Sequence, residues 1–216
     1  DIPSTVTWIK GGDLNYGLKF SYGAEWRYTT NESNKGGAFY GTGIEELVIK
    51  KGTENISIGA SAFENCKNLK KVTLANRCTN IGEGAFYGDA ALTDLTLSDG
   101  NNNLTIGKNA FRENVSLKEL KLGSSVKSIG EGAFYGCTAL ESLTLNEGLE
   151  TIGYEAFAKC SSLSGALLIP STVTKIEGYN YYGTTRKEAG AFYATAISSV
   201  EIADGNAGIS IGEYAF

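Results

Sequence analysis

The dipeptide Ala-Phe recurs along this chain at nearly equal intervals, and this repeat restricts the possible folds more than any other feature. The phenylalanines of the repeat are Phe39, Phe63, Phe86, Phe111, Phe134, Phe157, Phe192 and Phe216. Successive members are separated by 24, 23, 25, 23, 23, 35 and 24 residues. Such a period is typical of a solenoid, in which each unit buries its apolar face only by stacking on its neighbours. We therefore expect one elongated array rather than a globule around a central site.

Each unit ends in the pattern Leu-x-x-Leu-x-Leu, which stands as Leu140, Leu143 and Leu145 in the clearest copy. Its period-2 ending predicts a short strand with one face inward, paired in parallel with the strand of the next unit. The predicted strands are Val72–Leu74, Leu95–Leu97, Leu120–Leu122 and Leu143–Leu145. The preceding Ile-Gly-x-x-Ala-Phe segment is expected to turn the chain through a short helical or 3₁₀ turn. The phenylalanines expected in one buried column are Phe86, Phe111, Phe134 and Phe157.

The full unit reads Ile129-Gly130-x-x-Ala133-Phe134-x-x-Cys137-x-x-Leu140-x-x-Leu143-x-Leu145, and a linking phrase Ile-Pro-Ser-Thr-Val-Thr-x-Ile stands at 2–9 and 169–176. In this combination the chain resembles the BspA-like family of leucine-rich repeats. The resemblance implies an α/β repeat fold, a right-handed solenoid with a parallel β-sheet and little regular helix. It also implies an extracellular or cell-surface protein of a host-associated microbe, with a role in adhesion.

One solenoid is expected over residues 1–216. Because neither end has the polar outer face of a terminal unit, we expect the chain to be a piece of a longer array. The alternative is that disordered ends or caps are missing from this sequence. The net charge of −5 argues against nucleic acid and anionic membrane surfaces as partners. No apolar run approaches the roughly 20 residues of a membrane span, so no membrane insertion by this segment is expected.

The column three residues after the repeat phenylalanine holds Cys66, Asp89, Asn114, Cys137 and Cys160. Small polar or thiol residues in such a column are expected to satisfy backbone groups of a neighbouring loop. Cys78 falls in an apolar core position, where a free cysteine behaves as a small hydrophobe. We therefore expect four reduced, buried thiols, with Cys66 and Cys78 unpaired. Cys137 and Cys160 are neighbours in the stack, about 4.8 Å apart, so whether they form a bridge stays open.

The sequence contains no histidine, which excludes Ser-His-Asp and Cys-His catalytic arrangements and the usual zinc ligands. Asp94 and Glu119 match as outward positions on neighbouring strands, but solvated carboxylates explain them better than a catalytic pair does. The turns at 99–103 and 204–206 offer oxygen ligands for Ca²⁺, yet their composition is that of ordinary turns and neither matches an EF-hand. We expect no enzymatic activity, no cofactor and no metal site.

Two insertions interrupt the repeat, at Lys10–Gly37 and Glu177–Gly190. Both fall between the linking isoleucine and the repeat phenylalanine, so both are expected on the same side of the solenoid. Insertions in repeat proteins are often placed on the binding face. The candidate partner-binding residues are their aromatic side chains: Tyr16, Phe20, Tyr22, Trp26, Tyr28, Tyr179, Tyr181 and Tyr182. The alternative is that these aromatics only pack the insertions back onto the solenoid.

Two other surfaces can be read from the register. The outward positions of the repeat strands hold threonines and mixed charges, without the clustered Trp, Tyr and Arg of binding hot spots. A tyrosine column follows the repeat phenylalanine and is expected at the surface edge of the stack: Tyr40, Tyr87, Tyr135 and Tyr193.

These observations favour an extracellular or cell-surface interaction and adhesion module that recognises a host or microbial protein or glycan. The alternative is a rigid structural spacer that presents another domain of a longer surface protein. No motif names the ligand, because solenoid surfaces recognise partners through shape and scattered side chains.

Overall fold

The computed structural model describes residues 8–9, 37–97, 99–100, 103–178 and 190–216. In these ranges the chain forms short β-strands joined by turns, with no helix. The strands belong to two series that alternate along the chain, so each turn of the solenoid contributes one strand of each series. We refer to one such turn as a layer.

The first series contains the leucine-rich strands. They are β2 (Glu46–Ile49), β4 (Lys71–Leu74), β6 (Asp94–Leu97), β8 (Glu119–Lys121), β10 (Ser142–Thr144), β12 (Ser164–Ile169) and β14 (Ala196–Ile202). All pairings within the series are parallel, in the sheets β2-β4-β6, β8-β10 and β12-β14. The pairing is in register with the repeat, since Val72 lies opposite Leu95 and Leu120 opposite Leu143. The predicted strands and their parallel pairing are confirmed, except that β8 and β10 end one residue before Leu122 and Leu145 and that β6 and β8 belong to different sheets.

The strands of the second series end at the isoleucine of the Ile-Gly pair, or at the equivalent Ile9 and Ile176, and this series was not predicted from the sequence. Its strands are β1 (Trp8–Ile9), β3 (Ile56–Ile58), β5 (Cys78–Ile81), β7 (Leu104–Ile106), β9 (Val126–Ile129), β11 (Thr151–Ile152), β13 (Lys175–Ile176) and β15 (Ser210–Ile211). Among the described residues they form one continuous parallel sheet in that order. These strands have two to four residues each, too few for a periodic pattern to stand out.

The Ala-Phe segment forms a hydrogen-bonded turn rather than the expected helical or 3₁₀ turn. Its amides alternate between two kinds of acceptor: Ala133 N donates within the turn to Gly130 O at 3.3 Å, and Phe134 N donates to Ala156 O of the next layer at 2.7 Å. The glycine of Ile-Gly is required by the same close stacking. A Cβ on Gly130 would lie 2.8 Å from the carbonyl carbon of Gly107 in the preceding layer, a distance that side chains do not tolerate.

The core is a single apolar column between the two strand series. The repeat phenylalanines stack face to face, with ring centroids 4.9–5.3 Å apart and planes within 8° of parallel. The predicted burial of Phe86, Phe111, Phe134 and Phe157 is confirmed, since none is exposed to solvent. Inward leucines and isoleucines of both series pack around the rings. Each layer therefore covers its neighbour, as a solenoid requires.

Candidate interaction surface

The aromatic side chains predicted to bind a partner fall in the two insertions and lie outside the described residues. They are Tyr16, Phe20, Tyr22, Trp26, Tyr28, Tyr179, Tyr181 and Tyr182. The flanks of the insertions are described. The first insertion follows β1 and the chain is again described from Gly37; the second follows β13 and the chain is again described from Gly190. Both gaps therefore fall between a strand of the eight-stranded sheet and an Ala-Phe turn.

The start of the second insertion is marked by Glu177, which stands where other units have the glycine of Ile-Gly. Its carboxylate accepts a hydrogen bond from Lys175 Nζ at 2.7 Å and another from the backbone N–H of Tyr154 at 3.2 Å. The Lys175 hydrogen bond is the main reason that the pKa of Glu177 lies below its usual value. This carboxylate is thus ionised at neutral pH and ties the flank of the insertion to the preceding layer.

Beside these flanks, a row of tyrosines runs along the Ala-Phe turns. Tyr40, Tyr87, Tyr135 and Tyr193 each follow the repeat phenylalanine directly, and they occur in every second layer. The intervening layers have Glu64, Arg112 and Ala158 at the same position. Tyr40 is 43% exposed and the other three are half-buried, so the prediction that this column lies at the surface edge is confirmed. We call this row the tyrosine stripe.

The next position in each turn has a left-handed backbone. In the tyrosine-bearing layers it is Gly41, Gly88, Gly136 or Ala194; in the intervening layers it is Asn65, Glu113 or Lys159, with φ of 58°, 61° and 59°. A left-handed conformation costs a residue with a side chain about 1–2 kcal/mol, whereas glycine adopts it freely. The three intervening layers, and the Tyr193 layer through Ala194, therefore carry a strained residue where glycine would serve the turn better.

Each of the three strained side chains in the intervening layers contacts the tyrosine of the preceding tyrosine-bearing layer. Asn65 Nδ2 donates a hydrogen bond of 3.4 Å to the Tyr40 hydroxyl. The Tyr87 hydroxyl donates to Glu113 Oε2 at 3.1 Å. Lys159 Nζ lies 5.2 Å from the ring centroid of Tyr135. The two kinds of layer thus alternate regularly, and a polar side chain of each intervening layer contacts the tyrosine of the layer before it.

Charged groups along the stripe are paired with each other. The Arg112 guanidinium lies 3.8 Å over the ring of Tyr135, a cation–π contact, and its Nε lies 3.6 Å from Glu113 Oε1. Burial raises the pKa of Tyr87, and its hydrogen bond to Glu113 raises it further. Tyr87 is therefore a neutral phenol over the physiological range and serves as a hydrogen-bond donor.

A polar surface pocket of about 340 Å³ lies at the Tyr40 end of the stripe. Tyr40, Asn65, Lys67 and Asn68 line it, together with the backbone of 41–43. These groups offer hydrogen-bond donors and one aromatic ring. The pocket lies beside the turn that follows the first insertion.

The thiol column is structural, as the register predicts. Cys66, Cys137 and Cys160 donate from Sγ to the carbonyl oxygens of Phe39, Phe111 and Phe134, at 3.0, 3.3 and 3.2 Å. All four cysteines are free and buried, including Cys137 and Cys160, which form no bridge. Burial raises the pKa of Cys66 and Cys137, and that of Cys78 to about 12. The thiols of Cys66, Cys78 and Cys137 are consequently protonated and unreactive.

Asp89 occupies the same column and is fully buried. Its Oδ1 accepts the backbone N–H of Cys66 at 2.7 Å, while its Oδ2 has no hydrogen-bond partner among the described residues. Burial raises the pKa of this carboxyl to about 8, against the lowering effect of the Cys66 N–H. At neutral pH the carboxyl therefore keeps its proton, as the neighbouring thiols do.

The described residues of the strand face and of the acidic turns make ordinary surface contacts. Lys71 Nζ pairs with Glu46 at 3.5 Å across the strand face, and both side chains are about half exposed. Asp99 Oδ1 accepts the backbone N–H of Ser124, and Asn206 bonds Val173 O and Gly208 N, which are the roles of ordinary turn residues. Within the described ranges no group of His, Cys, Asp and Glu is arranged to hold a metal ion. The same ranges contain no helix that could span a membrane.

Sequence reasoning placed the tyrosine column but missed its partners. The available signal was Phe-Tyr-Gly in alternate units, as at Phe86-Tyr87-Gly88 and Phe134-Tyr135-Gly136. The units between them lack the glycine, which indicates a different backbone requirement or a retained side chain at that position. Only the structure shows that this position has the same left-handed backbone in both kinds of layer. It also shows that the side chain retained there contacts the tyrosine of the preceding layer.

Known proteins share this architecture. The family described as "BspA type Leucine rich repeat region (6 copies)" matches residues 33–164 and 104–189. A leucine-rich repeat protein of T. pallidum is 24% identical, with a TM-score of 0.60 over 78% of this chain and 73% of that one. One from Bacteroides ovatus is 28% identical, with a TM-score of 0.56 over 76% of this chain and 44% of that one. No curated protein sequence matches this chain.

The structural likeness establishes a shared solenoid fold, and the family match extends over more than half of the residues. The repeat that produces the match is the one whose isoleucines, glycines and phenylalanines form the two sheets and the stacked core. This chain belongs to the BspA-type leucine-rich repeat family.

Proposed function

We propose that this chain is a cell-surface or secreted interaction module that adheres to a protein or glycan on host or neighbouring microbial cells. The family and the fold support the coarser part of this proposal, because leucine-rich repeat solenoids are scaffolds for protein interaction. The proposal assigns no catalytic step to the chain. Surface localisation and adhesion are the finer parts, and they need direct tests.

One observation is the basis for proposing where on the solenoid the binding edge lies. The chain is described again from Gly37 and Gly190, and the end tyrosines of the stripe, Tyr40 and Tyr193, each follow three residues later. The flanks of both aromatic insertions and the tyrosine stripe thus share one edge of the solenoid. Aromatic residues supply large contact area at a low cost in conformational entropy, which suits them to binding.

The rigid core supports this use of the edge. The phenylalanine stack and the eight-stranded sheet run through the described layers without interruption. A binding edge on such a support is ordered before a partner arrives, which reduces the entropy lost on association. The continuous stack would serve a spacer equally well, so the edge rather than the core distinguishes the two functions.

The test replaces each insertion, Lys10–Gly37 and Glu177–Gly190, by the regular segment that joins Ile129 to Phe134. Adhesion of the folded variants to matrix proteins, glycans and cells is compared with that of the natural chain. A control variant, Thr73→Ala with Thr96→Ala, alters the strand face and leaves the edge intact. We expect the insertion variants to lose adhesion and the control to retain it.

Undiminished adhesion by a folded double-replacement variant would contradict the insertions as the binding site and direct attention to the strand face. If the natural chain adheres to none of the targets, the spacer function is favoured. A spacer is expected to retain its thermal stability in both insertion variants and to show no binding in any assay.

A further inference from the structure

Among the described residues, three buried polar atoms of the thiol column have no hydrogen-bond partner. They are Asp89 Oδ2, Asn114 Oδ1 and Asn114 Nδ2. Both side chains are fully buried, with 0% of each residue exposed to solvent. Native proteins leave few buried polar atoms unpaired, because an unpaired atom has lost its contacts with water without gaining others. Three such atoms in one column therefore indicate an interaction between the two side chains.

Asp89 and Asn114 occupy equivalent positions in adjacent layers. Each stands three residues after its repeat phenylalanine, and the ring centroids of the two layers are 5.0 Å apart. The turns of these layers are hydrogen-bonded to each other, as Gly88 N is to Arg112 O at 2.9 Å. The two buried side chains are therefore neighbours in the column, one layer apart.

The neutral Asp89 carboxyl can donate its proton only from Oδ2. Its Oδ1 already accepts the backbone N–H of Cys66 at 2.7 Å, which is the role of an unprotonated oxygen. Oδ2 accepts no hydrogen bond from the described residues. In the next layer, Asn114 Oδ1 is an acceptor that receives no donor from them. A donor of one layer is thus matched by an unused acceptor of the next.

We propose that Asp89 and Asn114 form a buried acid–amide pair, in which Asp89 Oδ2–H donates to Asn114 Oδ1 and joins their two layers. A carboxylate oxygen can only accept, so this bond exists only while the proton is in place. The other members of the column, Cys66, Cys137 and Cys160, each donate to a carbonyl oxygen of the layer before. The pair replaces these weak thiol donors with a stronger hydrogen bond between two side chains.

Few charged groups reach this joint. From the layer before, Cys66 is a protonated thiol, and the charge of Glu64 adds to the rise in the pKa of Asp89. From the layer after, Arg112 and Glu113 are directed to the tyrosine stripe, where they contact tyrosine side chains. The Asp89 carboxyl is therefore the group whose ionisation the joint follows.

The pair makes this joint sensitive to pH. The pKa of the Asp89 carboxyl is raised by burial to about 8, so the proton is held through the neutral range and lost above it. Ionisation leaves two acceptors, Asp89 Oδ2 and Asn114 Oδ1, without a donor between them. The Asn114 amide must then turn over to present Nδ2 to the carboxylate. The joint therefore has two hydrogen-bonded states, and pH selects between them.

The pair lies next to the tyrosine stripe along the chain. Asp89 follows Tyr87 and Gly88, and Asn114 follows Glu113, whose carboxylate accepts the Tyr87 hydroxyl at 3.1 Å. The state of the joint is thus felt by the two turns that hold Tyr87. The pair itself does not depend on what this edge of the solenoid binds.

A double-mutant cycle tests the pair by urea denaturation of the complete 216-residue chain at pH 6, with all thiols kept reduced. Its variants are Asp89→Cys, Asn114→Cys and the double variant, which continues the thiol column through both layers. Each single change leaves the other side chain unpartnered, whereas the double change removes both. We expect the unfolding equilibrium constant of the double variant to be at least about fivefold smaller than the product of the two single effects gives.

Asp89→Cys combined with Cys160→Ala is the matched control cycle. These two residues share the column but are three layers apart, so their effects should be additive.

NMR of the natural chain, with labelled aspartate carboxyl carbons and asparagine side-chain amides, follows the proton directly. We expect the signals of Asp89 and of the Asn114 amide to titrate with one common midpoint of about 8. In Asp89→Cys the Asn114 amide signal should not move at that midpoint.

Additive effects of Asp89→Cys and Asn114→Cys would overturn the pair. So would an Asn114 amide signal that stays constant while Asp89 titrates, or an Asp89 carboxyl that is already ionised at pH 6. The NMR titration uses the natural chain and therefore decides the matter even if a cysteine variant does not fold.

Discussion

At the scale of single residues, the Ala-Phe turns at Phe63, Phe86, Phe111, Phe134 and Phe157 have left-handed backbone on both sides of the Ala-Phe pair. Glycine meets this need at Gly132 and Gly136, yet the same turn positions are Glu155 and Lys159 one layer later, with φ of 53° and 59°. The strain at these side-chain-bearing residues is of the order of 1 kcal/mol each. A strained residue persists when its side chain has another use. At Lys159 that use is the contact with Tyr135.

Substitutions at Lys159 and Gly136 should have effects of opposite sign. Lys159→Gly relieves the left-handed strain and is expected to raise the free energy of unfolding by roughly 0.5 kcal/mol, after the entropy cost of glycine. Gly136→Ala introduces the strain at φ 71° and should lower the free energy of unfolding by about 1 kcal/mol or more. Urea denaturation of the two variants measures both values. Equal destabilisation by both would show that the Lys159 contact outweighs its strain.

The buried carboxyl of Asp89 makes stability depend on pH. In the unfolded chain the carboxyl ionises near its ordinary pKa of 3.8, whereas in the folded chain its pKa is about 8. The folded state therefore binds the extra proton between these values, so the free energy of unfolding should fall as pH rises from about 4 to 8 and then level off. Asp89→Cys introduces the thiol that other layers have at this position. The free energy of unfolding of this variant should fall less as pH rises.

Urea denaturation at pH 5 and pH 8 measures the decline for both proteins. The range stops at pH 8 because thiols begin to ionise in the unfolded chain above it. Glu147→Gln is the matched control, since Glu147 is an exposed carboxylate whose pKa is lowered by the Ser171 N–H and hydroxyl rather than raised by burial. An unchanged pH dependence in Asp89→Cys would mean that the buried carboxyl is not the group responsible.

At the scale of the elements, the two strand series differ in continuity. The second series, whose strands end at the repeat isoleucine, forms one eight-stranded sheet, while the leucine-rich series is divided after β6 and after β10. The first division falls between strands that begin with Asp94 and Glu119, both exposed carboxylates in the same outward column. Like charges directly opposite each other destabilise strand pairing. By contrast, Lys71 and Glu46 pair within the continuous β2-β4-β6 sheet.

Replacing Glu119 by lysine should strengthen the junction between β6 and β8. The change converts a repulsion with Asp94 into an attraction, and we expect a gain of about 0.5 kcal/mol in the free energy of unfolding at low salt. Glu119→Gln removes the repulsion without adding an attraction and should give about half of that gain. Denaturation with and without 0.5 M salt checks the assignment, because the effect of the lysine should shrink when charges are screened. A gain independent of salt would point to a cause other than charge.

At the scale of the whole molecule, stability comes from contacts between neighbouring layers. In the described part of the chain, ring stacking, turn hydrogen bonds and strand pairing all join one layer to the next. Such an array behaves as a sum of layer stabilities and interface terms. A defect in the middle should therefore weaken both halves, whereas a defect near an end should spare most of the stack.

Phe134→Ala tests this behaviour. Removing a fully buried ring with a stacked neighbour on each face should lower the free energy of unfolding by roughly 3–5 kcal/mol. Phe39→Ala, at a half-buried ring, is the matched control and should cost less. Hydrogen exchange should show lost protection on both sides of the Phe134 layer. Protection lost only within that layer would contradict coupling between layers.

The fold class followed from the sequence because the repeat multiplies a weak local signal. A single Leu-x-x-Leu-x-Leu is ambiguous, but its recurrence with Ile-Gly and Ala-Phe at a constant interval admits only a stacked array with a buried phenylalanine column. The register likewise placed Cys66 among residues that satisfy the neighbouring loop and Tyr40 at the surface edge. These are properties of position within a repeat, and position can be counted along the chain.

The tertiary structure decided what depends on contacts between layers. The eight-stranded sheet has strands as short as β11, Thr151–Ile152, whose pairing arises only when layers stack in register. The carboxyl of Asp89 is neutral because it is buried, and no local sequence pattern indicates this burial. The hydrogen bond between Tyr87 and Glu113 joins residues that are 26 positions apart in the sequence. It requires a left-handed backbone conformation at Glu113, which glutamate rarely adopts. Backbone strain, burial and interlayer geometry are set by the packed array, and the tyrosine stripe depends on all three.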